Sequence, residues 1–261
     1  VSLPAPVLHS TGEGPAVLLL HPLGVDSSFW DGVLPALDGF EALTYDFPGH
    51  GQTAVPAEPY TVEDLADQAR ALLVDGGYPQ VDVVGVSLGG LVAQQLAADA
   101  PDLVRRLVVV DAVAVYPEAL REMWRDRAAR APVEGLEPFL DPTLGLWFTA
   151  DRLAKGGPVV ESVRRGFLAG DPRGYALACL ALEQADVTGV LHRITAPTLV
   201  VCGEDDAPPF TAAATDLAAR LSGAGVAWLA PARHAGVLEQ PEQFCTALLG
   251  FLTADRVEAD R

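Results

Sequence analysis

Val81-Asp82-Val83-Val84-Gly85-Val86-Ser87-Leu88-Gly89-Gly90 is the stretch on which the reading of this chain turns. A β-branched apolar run ends at a serine between two glycines, and a helical pattern from Leu88 to Asp99 begins at the next residue. A strand that must become a helix across one residue strains that residue's backbone and lifts its side chain clear of the sheet. Side chains at positions 85 and 89 would collide across so tight a turn, which is why both are glycine. G-x-S-x-G alone occurs by chance. Between a strand and a helix it marks Ser87 as a nucleophile rather than an ordinary N-cap serine.

Outward from that turn the same alternation repeats. Ala16-Val17-Leu18-Leu19-Leu20, Ala42-Leu43-Thr44-Tyr45 and Leu107-Val108-Val109-Val110 are short aliphatic runs bounded by Gly, Pro or Asp, and read as strands. So do Thr198-Leu199-Val200-Val201-Cys202 and Val226-Ala227-Trp228-Leu229. Val62 to Val74, Ala212 to Leu221 and Gln243 to Leu252 read as helices, the first opened by Thr61 and Asp64 at capping-box spacing. Continuous apolar strands alternating with helices predict an α/β fold, a mostly parallel sheet covered by helices on both faces. Between Ala112 and Pro197 the alternation stops. Glu118 to Ala131 and Gly174 to Gln184 look helical there, and Pro132, Pro138, Pro142, Gly156, Gly157 and Pro158 separate the pieces. The predicted organisation is a core of residues 1–112 and 196–261, interrupted by a helical cap at residues 113–195.

Composition narrows the partners. The 261 residues are half hydrophobic and one fifth charged, enough for a full core in one domain with an insertion. No apolar run reaches the roughly 18 residues of a membrane helix. Val1-Ser2-Leu3-Pro4 carries neither the basic nor the apolar region of a secretory signal. A net charge of −18 disfavours nucleic acid and anionic membranes as partners. Cys179, Cys202 and Cys245 are odd in number and widely scattered, so they read as reduced thiols rather than a zinc site, and point to the cytoplasm.

A serine hydroxyl needs a base to take its proton. Where this elbow carries a triad, the chain order is serine, acid, histidine. His9, His21 and His50 precede Ser87, and His192 precedes the strand at Thr198. His234, in the loop Pro231-Ala232-Arg233-His234-Ala235-Gly236 after the last strand, is the expected base. The acid that orients it is sought in Gly203-Glu204-Asp205-Asp206. Asp206 is the first choice, Asp205 the second and Glu204 the weakest, with Asp111, at the end of an earlier strand, as the outside candidate. An oxyanion hole needs two backbone donors. Leu88 N–H follows the nucleophile, and in His21-Pro22-Leu23-Gly24 proline has no N–H, which leaves Leu23 as the second.

These elements together resemble the α/β-hydrolase superfamily along the whole chain. A closer resemblance is to the 3-oxoadipate enol-lactonases. It is carried by Leu23-Gly24-Val25-Asp26 with Trp30, by Tyr45-Asp46 with Gly49-His50-Gly51, and by Pro59-Tyr60-Thr61-Val62-Glu63-Asp64-Leu65-Ala66. Trp147-Phe148-Thr149, Gly174-Tyr175-Ala176 with Cys179, and Ala185-Asp186 continue it. Pro48 departs from it, standing where these lactonases usually have arginine before Gly-His-Gly. The resemblance implies an α/β-hydrolase fold with a helical cap after the sixth strand, in the order usual for that fold. It implies a serine hydrolase acting on a small ester or lactone through an acyl-enzyme, with no metal or organic cofactor. A perhydrolase of the cofactor-free haloperoxidase type or a carbon–carbon bond hydrolase would use the same triad, and a non-catalytic binding protein is the remaining alternative.

Two expectations concern the pocket. Trp124, Trp147, Phe148 and Tyr175 are candidates for an apolar wall over Ser87. A lactone of the resembling kind carries a carboxylate, and Arg121, Arg125, Arg164, Arg165 and Arg173 are the candidates to grip it.

Overall fold

The computed structural model describes residues 2–221 and 223–254. In chain order its elements are β1 (His9–Thr11), β2 (Ala16–Leu20), β3 (Glu41–Thr44), α1 (Val62–Asp75), β4 (Val81–Val86), α2 (Leu88–Asp99), β5 (Val104–Val110) and α3 (Glu118–Glu134). There follow α4 (Glu137–Trp147), α5 (Ala150–Lys155), α6 (Pro158–Ala169), α7 (Pro172–Gln184) and β6 (Thr198–Gly203). The chain closes with α8 (Pro208–Arg220), β7 (Gly225–Leu229), α9 (Gly236–Glu239) and α10 (Pro241–Leu252). The strands form one sheet in the order β1-β3-β2-β4-β5-β6-β7, parallel throughout except for β1 against β3.

The inner strands are apolar because both of their faces are covered. Every residue of β2 and β4 is buried, as are Leu107 to Val110 of β5. The one charge in β4, Asp82, is buried and held by Arg105 of the neighbouring strand, whose Nε donates to Asp82 Oδ1 at 2.9 Å. Helix α1 begins where the capping box predicts: Asp64 N–H donates to Thr61 Oγ1, and Thr61 N–H to Asp64 Oδ2. Helix α2 spans Leu88–Asp99 as expected and is buried on nearly every side against β2, β4 and β5.

Helices α3 to α7 all lie between β5 and β6 in sequence. Along the described residues the strand before them is the fifth, because only β1 precedes Ala16. Two of the five were read from sequence, whereas α4, α5 and α6 were not. For α5 the reason is its length of 6 residues, and for α4 and α6 it is proline. Pro158 and Pro172 open helices, as do Pro138, Pro208 and Pro241, in the first turn where an amide proton has no helical partner. Pro132 and Pro142 stand inside α3 and α4, so neither separates elements. Each forgoes one helical hydrogen bond, and for Pro142 the burial of Phe139, Leu140, Leu144 and Trp147 along α4 offsets the loss.

The inserted helices are tied to the sheet by specific contacts. Ala235 N–H donates to Trp147 O at 2.9 Å, and Arg233 Nη1 to Gly145 O at 2.7 Å. Glu239 Oε1 accepts from Thr149 N–H and Oγ1, while Oε2 accepts from Arg233 N–H. On the other side Gly174 of α7 meets Gly49, which holds φ +77. A Cβ at 174 would stand 2.3 Å from Gly49 O and 2.8 Å from Gly49 Cα, both backbone atoms that cannot rotate away. Gly174→Ala is therefore expected to destabilise the protein by about 1–3 kcal/mol, read as a lower urea midpoint with unchanged slope.

Candidate active site

Ser87 occupies the single residue between β4 and α2, with φ 52 and ψ −110. Its N–H donates to Val110 O at 2.9 Å, so the backbone stays tied to the next strand as it turns. Neither flanking glycine has room for a side chain. A Cβ at Gly85 would come within 2.1 Å of Gly89 O, and one at Gly89 within 2.3 Å of Leu20 O.

His234 Nε2 lies 3.0 Å from Ser87 Oγ, and its Nδ1 lies 2.9 Å from Asp206 Oδ2. All three side chains are buried. The two loops that bring acid and base together are bonded to each other, through Glu204 N–H to Leu229 O and Asp205 N–H to Ala232 O. Asp206 Oδ1 accepts from Ala207 N–H at 2.6 Å, which leaves Oδ2 facing the histidine. Phe210 packs against the imidazole with ring centroids 4.2 Å apart. Glu204 and Asp205 are exposed and turn away from His234.

Burial alone would push the His234 pKa down. The Asp206 carboxylate, by its charge and its hydrogen bond, more than offsets this and holds the imidazole above its ordinary value. Asp111, with φ 45, lies close to Asp206 and beside the Cys202 thiol, and its Oδ1 accepts from Gly203 N–H at 2.9 Å. Burial first, then the nearby Asp206 charge, raises its pKa to about 7. Asp111 is thus close to the site without touching His234 by hydrogen bond.

Ser87 and His234 border a cavity of about 20 Å³, with Leu23 at its edge and Trp124, Trp147 and Tyr175 in its wall. Phe148 does not reach it. Its backbone leaves α4 in an extended conformation at the helix C-cap, and its ring is fully buried elsewhere. Among the described residues the Leu23 and Leu88 amides donate to no other protein atom. A second cavity, of about 620 Å³, adjoins the first at Tyr175 and is bordered by Asp26, Asp46, His50 and Asp171.

None of the five arginines expected at the pocket lines either cavity. Arg121 donates to Tyr116 O and Ala185 O, Arg125 pairs with Glu183, and Arg164 lies near Asp141 and Glu161. Arg173 donates to Ala57 O, and Arg165 is exposed. The arginine that does line the Ser87 cavity is Arg127, which sequence reasoning passed over. A signal was there. Trp124, Arg127, Ala128 and Ala131 repeat at helical spacing and are the buried positions of α3, which sets a cation in an apolar stripe.

A family model described as the alpha/beta hydrolase family matches residues 17–247. The chain is 31% identical to 3-oxoadipate enol-lactonase 2 of Acinetobacter baylyi, over 89% of this chain and 86% of that one. It is 30% identical to the pyrrolizixenacetamide deacetylase of Xenorhabdus hominickii, over 94% of each. The crystal structure of the enol-lactonase from Burkholderia xenovorans superposes with a TM-score of 0.90 at 31% identity, over 97% of this chain and 99% of the other.

Two measurements follow from the electrostatics. Proton NMR titration is expected to place the His234 pKa above the ordinary value of about 6.5, and Asp206→Asn to drop it below, since burial, the largest influence, is then opposed only by the smaller effect of Asp111. For Asp111 the folded pKa of about 7 exceeds the unfolded one, so its contribution to stability is full below about pH 4 and falls as pH rises through 7. Asp111→Asn keeps the acceptor for Gly203 and cannot titrate. The stability of the native protein relative to this variant should decline between pH 4 and 7 in thermal melts; a pH-independent difference would contradict the assignment.

Proposed function

We propose that this chain, which belongs to the alpha/beta hydrolase family, hydrolyses a carboxylic ester or lactone through an acyl-enzyme on Ser87. The observation that carries the reading is the continuous chain from Asp206 Oδ2 through the His234 ring to Ser87 Oγ, at 2.9 and 3.0 Å, set on a strained elbow. In this reading Ser87 Oγ attacks the substrate carbonyl while His234 Nε2 takes its proton. Asp206 fixes the tautomer that presents Nε2 to the serine and stabilises the imidazolium that results. The oxyanion is held by the Leu23 and Leu88 amides, both uncommitted to the protein.

Collapse of the tetrahedral adduct breaks the carbon–oxygen bond, and His234 returns the proton to the departing oxygen. In a lactone that oxygen stays tethered, so the acyl-enzyme carries the opened ring. Water, deprotonated by the same imidazole, then attacks the acyl carbon; the bond to Ser87 Oγ breaks, His234 Nε2 gives its proton to that oxygen, and the free acid departs. The similarity to relatives named as enol-lactonases favours a lactone.

Residues 1–112 and 196–261 serve in this reading as the catalytic core, and residues 113–195 as a cap that supplies Trp124, Trp147 and Tyr175 to the acyl pocket. A cavity of about 20 Å³ has room for about one water-sized group, so substrate reaches Ser87 when these helices shift. Cys179 and Cys202 are buried free thiols and Cys245 is partly buried, which fits a reducing compartment, and we place the protein in the cytoplasm.

Ser87→Ala is expected to lower kcat on a short-chain p-nitrophenyl ester by roughly 10³-fold or more while the fold persists, because the triad acts as a unit. A fluorophosphonate should label Ser87 in the native protein and leave the variant unlabelled. Full activity in the alanine variant would end the reading.

A further inference from the structure

Tyr116 is a buried phenol beside Ser87 for which the proposed triad has no use. It lies in the segment between β5 and α3, and that segment is firmly held. Ala114 O accepts from Val187 N–H at 2.9 Å, Val115 forms an antiparallel bridge with Asp186, and Tyr116 O accepts from Arg121 Nε at 3.0 Å. The residue is 2% exposed, and its ring packs edge-on against Trp124, with centroids 5.9 Å apart, and against Phe210, at 6.3 Å. Trp124 borders the Ser87 cavity, and Phe210 lies on the His234 imidazole. Tyr116 Oη has no hydrogen-bond partner among the described residues, yet the Ser87 hydroxyl is near enough to act on its ionisation. Burial, the largest influence, keeps the phenol protonated above its usual range; the Ser87 hydroxyl opposes this and the Asp206 charge supports it.

A buried donor left unmade destabilises the fold, and for packing alone phenylalanine would serve as well. Sheet order shows where this donor points its use. Strand β4, which ends at Ser87, lies between β2 and β5. Leu23 follows β2 and Tyr116 follows β5, so they flank the serine from opposite sides. His234 follows β7, farther out on the side of β5. A carbonyl oxygen turned toward the Leu23 and Leu88 amides leaves the departing oxygen turned toward His234, and so toward Tyr116. We propose that Tyr116 is a further catalytic residue, whose Oη–H donates a hydrogen bond to the departing oxygen as the tetrahedral adduct collapses. The proposal rests on the Ser87 reading and adds to it a group for the leaving oxygen. The carbon–oxygen bond breaks, its electron pair goes to the departing oxygen, and His234 Nε2 gives that oxygen the proton taken from Ser87. Tyr116 keeps its own proton and stabilises the negative charge that builds before the transfer is complete. A basic alkoxide needs that help, whereas a nitrophenolate carries its charge unaided. The present cavity does not reach Tyr116, so the contact forms in the same widened state that any acyl group requires.

The test compares p-nitrophenyl, phenyl and ethyl acetate, which share an acyl group and differ in the basicity of the departing oxygen. Tyr116→Phe should lower kcat/KM on ethyl acetate roughly 10- to 100-fold, the range expected for losing a hydrogen bond to a charged group. It should leave p-nitrophenyl acetate nearly unchanged, with phenyl acetate between. A merely structural role would lower all three alike. The variant keeps the ring and removes one unpartnered oxygen, so its thermal midpoint should equal or exceed that of the native protein. An equal loss on the three esters, no loss on ethyl acetate, native activity confined to the p-nitrophenyl ester, or a variant that melts well below the native protein would each overturn the role of Tyr116. With Ser87→Ala inactive, any of these leaves the Ser87 reading intact. Turnover that survives in Ser87→Ala, or none on any ester in the native protein, would overturn that reading and this proposal with it.

Discussion

Ser87 holds a backbone conformation that costs a residue with a side chain on the order of 1–3 kcal/mol, and the middle of the sheet is built so that no other is possible. Gly85, Gly89 and Leu20 meet there with no space for one more carbon atom. That closeness brings helix α2 down onto β2 and β4 and buries almost its whole surface. The strain is therefore sustained by the best-packed part of the molecule. The reward is a hydroxyl fixed at the carboxyl end of a central strand, outside the sheet, where parallel α/β sheets place their ligands.

The same constraint passes from strand to strand. Ser87 N–H donates to Val110 O, Asp111 N–H to Val201 O and Glu204 N–H to Leu229 O, so the pairing runs one residue beyond the ends of β4, β5 and β6. Ser87 leads straight into α2, whereas Asp111 and Glu204 begin loops. Ser87 and Asp111 both take positive φ, and the loop from Glu204 delivers Asp206. Ser87 and Asp206 are thus held in register by backbone hydrogen bonds, while the His234 imidazole is fixed by the loop after β7 and by Phe210. Asp111 reaches the same level of the sheet and is passed over in favour of Asp206. Its carboxylate is turned to Gly203 N–H, and its burial favours the neutral form.

Much of this was legible in the sequence because it depends on local patterns. The glycine–serine–glycine turn, the aliphatic strands and the Thr61–Asp64 box each state their geometry within a few residues. Ser87, Asp206 and His234 lie in three separate segments, yet each is recognisable by what precedes it, a strand end and a turn. The insertion was less legible. Its helices open on prolines that read as breaks, and α4, with Pro142 in its middle, shows its apolar face only once the helix is assumed. The pocket arginine was missed for a related reason. Charge on a helix ordinarily marks the solvent side, and nothing so local separates Arg127 from Arg121, Arg125 and Arg164, which are satisfied by carbonyls and carboxylates. Only the burial of the Trp124–Arg127–Ala128–Ala131 stripe sets Arg127 apart, and that burial depends on α7 packing against α3.

One low-dielectric site treats its ionisable groups in opposite ways, and what each is given as a partner decides the outcome. Desolvation favours neutral Asp111, and it favours neutral His50, whose pKa falls to about 3 because burial, joined by the nearby His21, outweighs the Asp46 and Asp26 carboxylates. His234 escapes because Asp206 is 2.9 Å away. Among the described residues the Arg127 guanidinium meets the Thr143 and Tyr175 hydroxyls and the Trp124 and Phe139 rings. The net charge of −18 does not cancel that local field. Exposed carboxylates beyond about 8–10 Å are screened by salt, whereas two opposite charges 4 Å apart near a protein surface interact by about 4 kcal/mol. The distant field thus acts on how fast a charged ligand arrives, whereas the cavity at Ser87 is governed by the groups within a few ångströms of it.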